Sequence, residues 1–187
     1  MQILSVTLKN FKTHQDRYFV FQPGTNAICG ENGAGKTSIL EAIAWSLFNY
    51  QGSYAKEDLI RNGSGSAQVT VEFVSSHDQR TYDVQRCTTK GYTLFDPQLG
   101  QRLPYTRIKD EVLPWLRDHL GVNPGTDLGE LFARTIGVPQ GTFTADFCRL
   151  RRRARRFLTR FSRWMNTKLF TGISIACGAM PKPRLRT

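Results

Sequence analysis

Nine residues, Gly30-Glu31-Asn32-Gly33-Ala34-Gly35-Lys36-Thr37-Ser38, constrain this chain more than any other stretch. They have the spacing of a phosphate-binding loop, G-x-x-x-x-G-K-[ST]. Glycine at three positions lets the backbone turn tightly enough for successive N–H groups to point at phosphate oxygens. Asn32, Gly33, Ala34, Gly35, Lys36, Thr37 and Ser38 are therefore the expected nucleotide contacts. Lys36 reaches the β- and γ-phosphates as a point charge, and the Thr37 hydroxyl is the expected Mg²⁺ ligand. ATP with Mg²⁺ is the implied cofactor pair.

The flanks suit this loop. Residues 25–29 are short and apolar at their end, and read as a buried strand. Ile39, Leu40, Ile43, Leu47 and Phe48 recur at helical spacing, with Ala42 and Ala44 as good helix formers. Strand, loop and helix in that order bring a helix N-terminus to the anion site.

At 187 residues the chain is long enough for one domain with a real core. No run is long enough for a transmembrane helix and the N-terminus lacks a signal-peptide core, so no membrane role and a cytoplasmic location are expected. Cys29, Cys87, Cys148 and Cys177 are scattered without a C-x-x-C pair, which argues against zinc or a disulfide framework. The formal net charge of +11 suggests a nucleic-acid binder, but its distribution is uneven. Residues 1–146 carry 14 basic against 15 acidic groups, whereas residues 147–187 carry 12 basic groups and no acidic one. The basic character belongs to the tail.

Taken in order, Leu4, Val6 and Leu8 alternate as a half-buried strand, and residues 17–21 alternate again after a turn through Asn10-Phe11-Lys12-Thr13-His14. Lys12 is a candidate phosphate contact. Pro23-Gly24 marks the next turn. Residues 49–65 form a polar, glycine-rich loop. Strands at 67–74, 81–86 and 92–95 follow as an antiparallel meander. Residues 108–120 read as helical, with Pro114 kinking the helix or marking a boundary in it. Thr126 or Asp127 caps a last helix running to Ile136.

Together these pieces resemble the N-terminal ATPase lobe of the SbcC-type DNA-repair ATPases, relatives of the SMC proteins within the ABC-type ATPase class. The resemblance covers residues 1–147. It rests on the strand entering Asn10-Phe11-Lys12, the Pro-Gly turn, the phosphate loop, Glu41-Ala42-Ile43, Asp58-Leu59-Ile60-Arg61, and Val138-Pro139-Gln140-Gly141-Thr142-Phe143. The last segment looks like the family's Q-loop, which gives Gln140 a role in touching Mg²⁺ and positioning water near the γ-phosphate. A neutral amide suits that role, because its carbonyl ligates an ion while its N–H₂ binds water. Lys12 stands where the family usually carries an arginine near the phosphates. Ile60, Arg61 and Asn62 correspond to a stretch flanking base and ribose. The fold so implied is α/β, a P-loop NTPase lobe of ABC/SMC type with an antiparallel meander.

The resemblance also implies partners: a C-terminal lobe carrying the acidic strand and signature motif, an SbcD-like nuclease, DNA, and a second head brought in by ATP. The activity implied is ATP hydrolysis in double-strand break repair and DNA-end processing. No apolar run ending in Asp-Glu, no Ser-Gly-Gly signature and no sustained heptads occur in this sequence, so a truncated lobe without hydrolysis of its own is expected. The alternatives are a RecF-like recombination ATPase and a basic nucleic-acid-binding fragment without enzymatic role.

Beyond Phe147 the composition changes abruptly to an irregular basic tail, residues 148–187. Trp164-Met165-Asn166 has nearly fixed codons, and regrouping them one nucleotide earlier forces Asp-Glu. Freer codon choices upstream allow Asp-Pro-Ile-Leu-Lys-Val before it, a string resembling the family's continuation. The expectation is a frameshift-derived tail rather than a second domain; a genuine basic arm that orders on phosphate backbone is the alternative.

Overall fold

The computed structural model describes residues 1–137. Six strands make one sheet, in the spatial order β2-β1-β3-β4-β5-β6, with every neighbouring pair antiparallel. They are β1 (Gln2–Phe11), β2 (His14–Val20), β3 (Gln68–Val74), β4 (Thr81–Cys87), β5 (Gly91–Asp96) and β6 (Gln101–Arg102). Alternation in the sequence becomes a row across the sheet. Val6 pairs with Val71, Val71 with Val84 and Val84 with Leu94, and all four are fully buried. The adjacent row on the other face runs Thr7, Thr70, Gln85, Thr93. One face is thus apolar and one polar, the pattern of an antiparallel sheet covered on one side.

The cover is α1 (Lys36–Phe48), which lies against β1, β3 and β4. Nine of its 13 residues are buried, because α3 (Leu128–Leu131) and the wide turn Phe132–Ile136 close its other side. Phe132 packs on Phe48 and Tyr50, with ring centroids 5.2 and 5.3 Å apart. A helix apolar on nearly every side reads as a core helix, and that is its position here. At its C-terminal end the Trp45 carbonyl accepts hydrogen bonds from the Arg86 guanidinium and, at 3.2 Å, from the Tyr92 hydroxyl. Arg86 also stacks on the Trp45 and Tyr92 rings at 4.5 and 4.7 Å, and burial lowers its pKa.

The expected helix at 108–120 divides at its proline. Ile108–Val112 is a π turn and α2 is Leu113–Leu120, with Pro114 in the first turn of α2. Pro114 donates no hydrogen bond, so the change of register falls where the ladder already lacks a donor. Asp127 caps α3, its carboxylate accepting from the Glu130 N–H at 2.9 Å, and the helical path runs on to Ile136. One expectation fails. Residues 25–29 do not form a strand of the described sheet; Ala27 and Cys29 are exposed and Ile28 is only half-buried. Asn26 takes part in a single β-bridge, so the run is paired at one point without extending into a ladder. Val138 onward lies outside the described residues.

Candidate nucleotide site

The phosphate loop leads directly into α1. Gly35 stands at the N-cap with φ +85°, and Gly33 has φ +84°, both in the left-handed region where a side chain is strained. No side chain caps the helix and its first turn holds no acidic residue, so its positive end is not neutralised from within. Asn32, Gly33, Ala34 and Thr37 are exposed, Gly35 and Lys36 half-buried, and Ser38 buried. The Lys36 ammonium donates to the carbonyls of Gly30 at 2.8 Å and Glu31 at 2.6 Å. Those are contacts to neutral groups, and among the described residues no carboxylate pairs with it.

The β1–β2 turn forms the wall beside this loop. His14 Nε2 donates to the Gly35 carbonyl at 3.1 Å, which fixes the proton on that nitrogen. A Cβ on Gly35 would lie 2.5 Å from Thr13 Oγ1 and 2.6 Å from His14 Nε2. The loop and the turn therefore touch at a point where only glycine fits. His14 is itself buried and stands edge-on to Phe19.

Lys12 lies in the same turn, with φ +49° and its N–H donating to the Leu59 carbonyl at 2.9 Å. Its ammonium meets Glu41 Oε2 of α1 at 2.6 Å and lies 3.6 Å from the centroid of the Tyr54 ring. The stretch 60–62 comes to the same place. Ile60 bridges to Phe11, the Arg61 N–H donates to the Asn10 carbonyl at 2.9 Å, and the Arg61 guanidinium donates to the Thr13 carbonyl at 2.7 Å. Asn62 is exposed in the turn that follows.

Lys12, Gly35 and Ile60–Arg61 thus meet at the β1–β2 turn, while Gln140 lies outside the described residues. Sequence reasoning passed over His14 and Tyr54, and used Glu41 only as part of a motif. The partners of His14 and Glu41 lie 21 and 29 positions away, beyond any local periodicity.

Residues 5–113 match the model of the AAA domain. The chain belongs to that family. Its relatives include the DNA double-strand break repair Rad50 ATPase of Thermoplasma acidophilum, 41% identical over 90 residues, or 48% of this chain and 10% of that protein. The Rad50 ATPase of Methanocaldococcus jannaschii is 30% identical over 145 residues, 75% of this chain and 13% of that protein. The AAA-domain chain spans only about a twelfth to a seventh of the curated relatives it matches. Among solved structures it is similar to one described under "Structural biochemistry of ATP-driven dimerization and DNA stimulated activation of SMC ATPases". That likeness has a TM-score of 0.58 at 23% identity, over 86% of this chain and 98% of the other, and shows a shared P-loop head fold. The resemblance to SbcC-type, SMC-like ATPases and the α/β P-loop fold expected from the motifs agree with these findings.

Proposed function

We propose that this chain is the ATP-binding N-terminal lobe of an SbcC/Rad50-type ATPase acting in DNA double-strand break repair. The observation that carries the reading is the phosphate loop itself: left-handed glycines, a helix N-terminus without an acidic residue in its first turn, and a lysine held by loop carbonyls. This donor set fits a polyphosphate, for which N–H groups and one mobile cation are the required chemistry. Lys36 leaves the Gly30 and Glu31 carbonyls for β- and γ-phosphate oxygens. Thr37, exposed at the start of α1, offers its hydroxyl to Mg²⁺, and Gln140 would be the ion's second protein ligand. Mg²⁺ binds through substrate phosphates and keeps several waters, so so few protein ligands suit it; bound there, it would neutralise charge on the phosphates. Lys12 is proposed as a further phosphate contact, and residues 60–62 as the stretch flanking base and ribose.

The remaining roles belong to a larger assembly. A C-terminal lobe, an SbcD-like nuclease, DNA and a second ATP-bound head are the proposed partners, and the general base that activates water is proposed to come from that other lobe. This chain alone holds nucleotide without turning it over. Isothermal calorimetry with Mg-ATP tests the core of the proposal. Wild type should bind and Lys36→Ala should not, since Lys36 is the only cation within the loop; equal binding by both would refute the site.

A further inference from the structure

The geometry points to Tyr54 as a stacking platform for the nucleobase of the bound nucleoside triphosphate, resting on the phosphate-loop reading above. Among the described residues Tyr54 is one of five large apolar or aromatic side chains left exposed, at 47%. It is nevertheless held from several sides. The Lys12 ammonium lies over its ring at 3.6 Å, and Glu41 of α1 holds that ammonium at 2.6 Å. Gln51 Nε2 donates to the Tyr54 carbonyl at 2.7 Å. The loop around it is ordered by its own bonds, the Ala55 N–H donating to Asp58 Oδ2 at 2.8 Å ahead of the short turn Glu57–Leu59.

An aromatic ring fixed in place yet left half in water gains little for the fold, since the ordering costs entropy and the exposed ring area returns none of it. Its position supplies the reason. Glu41 lies on the helix that begins at the phosphate loop, and Lys12 lies two residues from His14, which touches Gly35. The ring is therefore tied by two side chains to the frame that holds the phosphates. A purine stacks on such a ring irrespective of its hydrogen-bonding edge, and an Ala substitution at a stacking ring costs on the order of tenfold in affinity or more. In this arrangement Lys12 and Glu41 are positioning residues: they set the ring.

The test separates base from phosphate. The full chain is titrated in Mg²⁺ buffer with ATP and with inorganic tripolyphosphate, comparing wild type, Tyr54→Ala, Tyr54→Phe and Lys36→Ala. Tyr54→Ala should weaken ATP about tenfold and leave tripolyphosphate unchanged, and Tyr54→Phe should keep both. Lys36→Ala should lose both ligands. Unchanged ATP affinity in Tyr54→Ala, or an equal loss of ATP and tripolyphosphate, overturns the platform alone. Failure of wild type to bind tripolyphosphate, or full binding by Lys36→Ala, overturns the phosphate-loop reading and the platform with it.

Discussion

At the scale of single residues, two glycines of one loop have opposite surroundings. Gly33 and Gly35 share nearly the same positive φ, yet a Cβ on Gly33 meets nothing within 4 Å whereas one on Gly35 runs into Thr13 and His14. Gly33→Ala should therefore cost only the strain of a left-handed alanine, about 1 kcal/mol. Gly35→Ala adds the displacement of a buried histidine and its hydrogen bond, for a total of roughly 2–4 kcal/mol. Urea midpoints of the two variants check this, and equal midpoints would mean that the turn does not rest on the loop. Which glycine of the motif is sterically required could not be read from spacing, because the obstruction comes from a different segment.

At the scale of elements, α2 is moored to the β3–β4 turn by polar contacts. The Ser76 N–H donates to the His119 carbonyl at 2.9 Å, Trp115 stacks on His119 at 3.9 Å, and Tyr82 meets both rings edge-on. The Tyr82 hydroxyl donates to Asp78 Oδ2 at 2.6 Å. Burial and this bond push the Tyr82 phenol up to about 12. Partial burial works to raise the Asp78 carboxyl, but hydrogen bonds from Tyr82 and the Arg80 N–H outweigh it and bring the group down to about 2. A depressed carboxylate contributes stability that is full above its unfolded pKa, near 3.9, and is lost as pH falls towards 2. A raised phenol contributes stability that is full below pH 10 and is lost as pH rises towards 12. Tyr82→Phe should flatten both limbs of a plot of melting temperature against pH; an unchanged acid limb would show that Asp78 keeps its low pKa without the phenol. The elements themselves were largely legible. Alternation located five of the six strands, missing the two-residue β6, and Pro114 and Asp127 marked a boundary and a cap. The π turns were not, since apolar spacing does not distinguish a wide turn from an α turn over five residues. Residues 25–29 misled because apolarity reports a capacity for burial and not a ladder: Asn26 is bridged at one point, while Ala27 and Cys29 stay exposed.

At the scale of the whole molecule, charge and fold lie in different places. The described lobe falls within a segment that is nearly neutral, and the basic groups follow it. DNA association by the full chain should therefore be steeply salt-dependent, log K falling by about 0.9 per phosphate neutralised for each log unit of salt, and indifferent to sequence. Removing residues 148–187 should abolish it in filter binding; retention with the same salt slope would assign DNA contact to the lobe. The strand order carries a different consequence, in time. Strand β1 is made first but lies between β2 and β3, and α1 leaves the ribosome before β3 and β4, two of the three strands it packs on. At about 5–20 residues per second, the stretch from the end of α1 to the end of β3 takes roughly 1–5 s to synthesise. Through that interval the most thoroughly buried helix of the finished lobe has only a hairpin to lie on, and the nascent chain presents it to chaperones.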